Sequence, residues 1–165
     1  MYKRQDNDKR KSAYFIVTKN GVIGTGKLKQ TSATVADGGS NIIVLRYADV
    51  LLMLAECYAE KDDVSKSNEY LNLIKKRAGI EEVSIGDATL IKEEIALERR
   101  KELVNEGHRW FDLIRTGKAV EVMNAYFTRT PGYTGITISE LNYVQPIPQG
   151  QIDTDSATKQ NEGYN

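Results

Sequence analysis

The sequence contains one cysteine, Cys57, one histidine, His108, and three prolines, and it carries no net charge because 23 Lys and Arg stand against 23 Asp and Glu. Each shortage excludes something. One cysteine cannot build a disulfide framework or a Cys-rich zinc site. Cys57 falls inside a helical pattern, where packing is expected rather than reactivity. A lone histidine acts as general base or metal ligand only where other groups converge on it. Glu106-Gly107-His108 lacks metal-ligand spacing on one helix face, so His108 is expected at a helix terminus and no metal site is expected. Balanced charge removes the concentrated positive field that phosphate backbones require, so nucleic acid is not an expected partner. No apolar run approaches the ~20 residues of a membrane-spanning helix. Met1 to Asp6 lead into no apolar segment, which suits either a cytoplasmic chain or a portion of a longer protein.

What remains is an ordinary globular composition of 165 residues, 40% hydrophobic and 28% charged, enough for one domain or a large piece of one. Residues 1–41 read as a hairpin and a loop. Ala13 to Val17 form a β-rich run, Asn20-Gly21 the turn and Val22 to Leu28 the return, while Gln30 to Asn41 have no pattern. From Ile42 the period becomes helical. The stripe Leu45, Ala48, Leu52, Ala55, Ala59 lies beside Tyr47, Leu51, Leu54, Tyr58, with Arg46, Asp49, Glu56 and Glu60 on a solvated edge. After a short turn, Asp63 caps a second helix carrying Val64, Ser67, Leu71, Ile74 and Ala78 and closed by Gly79. This pair over residues 42–79 echoes a tetratricopeptide unit, which cannot bury its own apolar face without neighbours. Residues 87–127 hold further helices: 88–106, capped near Asp87 and stopped by Gly107, then Arg109 to Thr116 and Lys118 to Phe127, divided at Gly117. Residues 128–165 read as a loop and an irregular tail. The expected fold is mostly α, with a small N-terminal β-hairpin.

Few motifs here carry chemistry. Gly21 to Lys27 satisfies the first seven positions of a phosphate-binding loop, but Leu28 stands where a magnesium-binding Ser or Thr is required and no amphipathic helix follows. A glycine-rich turn is the better reading, and no cofactor is expected. Asp153-Thr154-Asp155 opens like a calcium loop, but Ala157 occupies the next ligand position. Glu98, Glu102 and Glu106 could be imagined as a catalytic carboxylate pair. On the helical wheel, however, Glu98, Arg99, Glu102 and Glu106 continue the arc of Ile91, Ile95 and Leu103, so some of these charges should be buried with partners. Arg99, Arg100, Arg109 and Arg115 are the nearest in sequence. Among the aromatics, Tyr14, Tyr47, Tyr58 and Tyr70 fall in regular patterns and read as core. Tyr126, Tyr133 and Tyr143, with Phe127, border or occupy the irregular segment, where a ring can stack on a sugar face.

Four stretches carry a more specific signal through their order and spacing. They are Leu45-Arg46-Tyr47-Ala48-Asp49-Val50-Leu51-Leu52-Met53-Leu54-Ala55-Glu56; Leu71-Asn72-Leu73-Ile74-Lys75-Lys76-Arg77-Ala78-Gly79; Glu98 to Leu103 with Glu106-Gly107-His108-Arg109-Trp110-Phe111-Asp112-Leu113-Ile114-Arg115; and Pro146-Ile147-Pro148 with Gln160-Asn161 and Gly163-Tyr164. Together they resemble the C-terminal part of the SusD/RagB family of Bacteroidetes outer-membrane lipoproteins, and Asp8-Lys9-Arg10 resembles the family's Asp-x-Arg ahead of this region. Gln145, Thr116 and Glu162 depart from the family pattern. The resemblance implies a surface-exposed protein of the cell outer membrane that captures oligo- or polysaccharide, or another nutrient, without chemistry. It would act as partner of a SusC-like TonB-dependent transporter. The signal and lipidated cysteine that such a protein carries are not in this sequence, which is then expected to be a C-terminal portion. The resemblance assigns Arg46, Glu56, Glu98, Arg99, Glu102, Arg109, Trp110 and Asp112 to the framework and transfers no binding residue. Tyr126, Tyr133 and Tyr143 are the candidate ligand contacts. The alternative reading is a tetratricopeptide-like scaffold that binds proteins; a third, a nucleotide-dependent enzyme using Gly21 to Lys27, fails unless the chain binds ATP with magnesium.

Overall fold

The computed structural model describes residues 7–17, 19–21, 23–27 and 43–164. The expectations placed on Met1 to Asp6, on Val22 and on Leu28 to Ile42 lie outside them. The chain divides into two compact units, Met1–Arg109 and Trp110–Asn165.

The first unit begins with a short helix, α1 (Arg10–Tyr14), followed by an antiparallel pair, β1 (Phe15–Val17) and β2 (Ile23–Thr25), in which Phe15 faces Thr25 and Val17 faces Ile23. The hairpin is shorter than the sequence suggests, because Ala13 and Tyr14 are helical. The Asp8 carboxylate accepts from the Arg10 N–H at 3.0 Å and the Asp8 carbonyl from the Lys11 N–H, and these bonds start a helical turn ahead of the β-rich residues.

Then come α2 (Tyr47–Glu60), α3 (Val64–Ala78) and α4 (Ala88–Glu102). The α2–α3 pair is the tetratricopeptide-like hairpin. Its second helix is bounded by the residues expected from sequence: the Asp63 side chain accepts from the Lys66 N–H, and Gly79, at φ 73°, takes the left-handed conformation that glycine adopts without penalty. Leu52, Ala55, Ala59, Leu71, Ile74, Ile91 and Ile95 form the core of these three helices. Small residues let the backbones approach closely, and the buried Ser67 hydroxyl donates to the Ala55 carbonyl at 2.8 Å. Tyr58 and Tyr70 stack at 5.5 Å over one edge.

Several expectations for α2 fail. The helix starts at Tyr47, with an extended Arg46 before it, so Leu45 and Tyr47 are exposed rather than core. Asp49 is not on a solvated edge; it is buried and accepts from Arg99 at 2.8 Å. Cys57 is exposed and does not pack. α4 ends at Glu102, four residues before the expected end, because Asn105 already adopts a left-handed φ of 64° ahead of Gly107. Asp87 caps it as expected, accepting from the N–H groups of Thr89 and Leu90.

The segment between α3 and α4 is held by side-chain amides. Asn68 bonds both the N–H and the C=O of Ile85, and Asn72 does the same to Val83, every bond between 2.8 and 3.0 Å.

The second unit takes most of α5 (His108–Arg115), then α6 (Ala119–Arg129), a 3-10 turn at Glu140–Tyr143 and α7 (Gln149–Thr154). The last two fall where the sequence shows only an irregular tail. They are too short to display a period, and Asn142 locks the 3-10 turn by accepting from the N–H of Ser139. Amide clamps recur: Asn124 of α6 bonds both backbone groups of Ile138, and Gln160 both of Ile147. Trp110 meets Tyr143 edge-on at 6.1 Å, and Asp112 accepts from Arg115 at 2.9 Å.

Candidate functional site

In the first unit the charged arc of α4 is buried, as the wheel suggests. Glu98 and Glu102 are fully enclosed and Arg99 nearly so. Several of the partners come from beyond those nearest in sequence. Arg99 serves Asp49 and Arg115 serves Asp112, while the guanidiniums on the α4 carboxylates come from far along the chain. Arg10 grips Asp8 with Nε and Nη2 at 2.9 and 2.8 Å and reaches Glu98 and Glu102 with Nη1. Arg46 forks onto Glu106 at 2.7 and 2.9 Å and bonds Glu102 at 2.9 Å. Arg77 and the Tyr14 hydroxyl also donate to Glu102, and Lys27 to Glu106.

Burial alone would raise the carboxyls of Glu102, Glu106 and Asp8, but charged donors outweigh it. Arg46, Arg77 and Arg10 hold Glu102 below its ordinary range, Arg46 and Lys27 do so for Glu106, and Arg10 for Asp8. Burial pushes the Lys27 ammonium down, and its carboxylate neighbours restore only part of that. One atom is left over: buried Glu98 Oε2 has no hydrogen-bond partner among the described residues, with Lys101 Nζ 3.9 Å away.

A cavity of about 370 Å³ opens beside this network, lined by Tyr14, Lys27, Ile43, Arg46, Arg77 and Glu106. It is not a phosphate cradle. Lys27 is committed to Glu106 and the Glu102 carbonyl, Gly24 and Thr25 belong to β2, and the Gly26 N–H donates to the Tyr14 carbonyl. Glu102 and Glu106 are not a free carboxylate pair either, since each accepts from cationic donors. Among the described residues no three His, Cys, Asp or Glu side chains converge as a metal site would need, and no helix is long and apolar enough to cross a membrane.

The second unit brings two of the three candidate tyrosines together. Tyr126 and Phe127 stand at adjacent positions of α6, and Tyr133 comes from the Pro131-Gly132-Tyr133-Thr134-Gly135 loop behind it. Tyr133 stacks on Phe127 at 5.7 Å and 18°, and it sits 6.0 Å from Tyr126 with the rings inclined by 54°. Tyr126 and Tyr133 remain 41% and 44% exposed. Two turns place the loop: the Tyr133 N–H donates to the Thr130 carbonyl and the Ile136 N–H to that of Tyr133, with Gly132 and Gly135 both at φ 89°. Tyr143 is not in this cluster; it is half-buried against Trp110. Of the remaining framework residues, Glu56 and Arg109 are half-buried on α2 and α5. Sequence reasoning missed Arg10, Lys27 and Arg77 as network members, along with the amide clamps. The spacing of Asn68 and Asn72 on one face of α3 was the only sign of the latter.

A tetratricopeptide-like pair braced by a buried ion network, preceded by a two-stranded antiparallel hairpin, defines a mostly helical class of domain. The chain belongs to the SusD family, whose sequence profile matches residues 2–164. It is similar to SusD-like protein P38 of Formosa agariphila, at 40% identity over 51% of this chain and 18% of that protein. A SusD superfamily protein from Bacteroides vulgatus ATCC 8482 superposes with a TM-score of 0.65 at 30% identity, over 75% of this chain and 28% of its own. Surface glycan-binding protein A from Bacteroides thetaiotaomicron, in complex with laminarihexaose, superposes with a TM-score of 0.73 at 28% identity, over 94% and 38%. The chain thus spans less than two fifths of the length of each of these proteins.

Proposed function

We propose that the protein carrying this chain captures glycan at the cell surface without chemistry, as the outer-membrane partner of a SusC-like TonB-dependent transporter. Family membership supports the partnership and the location. The observation that carries glycan binding is the exposed ring cluster of Tyr126 and Tyr133 backed by Phe127, since an aromatic face left open to solvent and fixed from behind suits the apolar face of a sugar. Tyr143, beside Trp110, is a more peripheral contact. The saturation of Glu102 and Glu106 supports a non-catalytic role, and Arg46, Glu56, Glu98, Arg99, Glu102, Arg109, Trp110 and Asp112 serve as framework.

Affinity electrophoresis through gels containing a panel of polysaccharides tests this reading. Retardation by at least one polysaccharide, lost in Tyr126→Ala and Tyr133→Ala, is the expected result. Unchanged mobility in every gel refutes it and favours the second reading, a protein-binding tetratricopeptide-like scaffold. The exposed stripe Tyr47, Val50 and Met53 along α2 supports that alternative.

A further inference from the structure

At the tip of the N-terminal hairpin Asn20 is followed by Gly21, and no other asparagine of the sequence precedes a glycine. Asparagine is thermolabile because the main-chain nitrogen of the next residue can attack its side-chain carbonyl carbon. A bulky following residue hinders that attack, and hydrogen bonds on either group suppress it. Both guards are missing here. A Cβ built on Gly21 would meet nothing within 4 Å, and its φ of 76° is the left-handed conformation that glycine adopts without penalty. Asn20 and Gly21 are exposed, and among the described residues neither the Asn20 amide nor the Gly21 N–H has a hydrogen-bond partner. The helical asparagines are held instead. Asn68, Asn72 and Asn124 each have both amide atoms bonded to main chain. Their helices also commit the next N–H to a carbonyl one turn back, away from the amide carbon.

We propose that Asn20-Gly21 is a self-modification site, at which the folded protein exchanges the asparagine amide for a carboxylate, as aspartate or isoaspartate, without unfolding. The Gly21 nitrogen bonds to Asn20 Cγ as the Cγ–Nδ2 bond breaks. Ammonia leaves with the proton that the nitrogen gives up, and a five-membered cyclic imide remains. Water then opens the imide at either carbonyl. Cleavage at the former side-chain carbonyl gives aspartate; cleavage at the main-chain carbonyl gives isoaspartate, which routes the main chain through Cβ and Cγ. No step changes an oxidation state, and water is the only co-reactant. Either product adds one negative charge to a chain whose formal net charge is zero. The hairpin is anchored at its other end, where Phe15 pairs with Thr25, the Gly26 N–H donates to the Tyr14 carbonyl at 2.7 Å and Lys27 reaches Glu106. A lengthened turn at the tip leaves those bonds intact, so the modified form accumulates in the folded state.

Ageing the chain in warm, mildly alkaline buffer, with and without urea, and mapping the peptides by mass spectrometry tests this. The mass gain of an amide-to-acid exchange should appear at Asn20 at least tenfold faster than at Asn68, Asn72 or Asn124. Isoaspartyl methyltransferase should place a labelled methyl group on the same peptide. In the folded protein the rate at Asn20 should lie within about threefold of that in the urea-unfolded chain, whereas the clamped asparagines should speed up on unfolding. Asn20→Gln should abolish the label, and Gly21→Ala should slow the exchange at least tenfold, with far-UV circular dichroism checking that each variant is folded. The aged fraction, separated by anion exchange, should keep the urea midpoint of the parent. Exchange at Asn20 confined to the unfolded chain would overturn the proposal, because the fold would then guard the turn. Equal rates at Asn20 and the clamped asparagines, or a lowered midpoint in the aged fraction, would overturn it as well.

Discussion

Replacing Glu102 with alanine should unfold the first unit at markedly lower denaturant. The carboxylate is fully buried; its Oε2 accepts from Arg10 at 3.1 Å, and its Oε1 accepts from Arg46, Arg77 and the Tyr14 hydroxyl, the last at 3.1 Å. The four donors do not suffer equally. Arg77 has a half-exposed side chain and can turn to water, whereas Arg10 and Arg46 are 4% and 19% exposed and cannot. Each stranded charged donor costs about 1.5–3 kcal/mol, so two of them give about 3–6 kcal/mol. That overlaps the 3–5 kcal/mol or so typical of removing one partner from a buried ion pair. The remaining bonds of Arg10 to Asp8 and of Arg46 to Glu106 place the expected loss toward the lower end, about 3–4 kcal/mol. Urea unfolding followed by far-UV circular dichroism reads this as a fall in midpoint at unchanged slope. Arg77→Ala is the internal contrast and should cost no more than about 1 kcal/mol, in the range of exposed pairs. A Glu102→Ala protein within about 1 kcal/mol of the parent would refute the account of α4 as a buried ionic brace.

The same network sets the acid response. The Asp8, Glu102 and Glu106 carboxyls are held below their ordinary values in the fold, so between the folded and unfolded pKa values the unfolded chain binds more protons. Stability should hold from neutral pH down to about pH 5 and fall steeply below about pH 4, read as the urea midpoint against pH; a midpoint that rises on acidification would contradict it. Leu52→Ala should cost about 2–5 kcal/mol in the same assay, because Leu52 is fully enclosed between the helices. Gly79→Ala forces a side chain into the left-handed region and brings its Cβ to 2.8 Å from Lys9 Cε; the expected cost is about 1–2 kcal/mol, and a neutral result would show that the α3 terminus relaxes.

What could be read in advance divides by distance along the chain. Asp63 and Gly79 were legible because a cap and its helix are neighbours in sequence. The burial of Glu98 and Glu102 was legible because a helical wheel needs only the helix itself. Their partners were not, since Arg10 and Arg46 reach α4 across separations of 88 and 56 residues that no local period encodes. Asp49 failed for the same reason: a carboxylate beside a hydrophobic stripe looks solvated until Arg99 arrives from another helix. Tyr126 and Tyr133 were singled out by their place at the edge of regularity. That the two rings and Phe127 come together is a tertiary contact that no local period encodes.

The amide clamps carry a consequence for how such a domain can vary. Asn68, Asn72, Asn124 and Gln160 each touch only main-chain N–H and C=O groups, so they are indifferent to the side chains of Ile85, Val83, Ile138 and Ile147. Val83 and Ile85 also pack against the core of the three helices, so there the side chains are held twice, whereas at Ile138 and Ile147 the amide moors the backbone whatever the side chain. Spontaneous deamidation would undo this from the other side: an aspartate at 124 keeps the acceptor and loses the donor, releasing the Ile138 carbonyl. The Tyr133 loop is thereby exposed to chemical ageing at a single atom of the helix behind it.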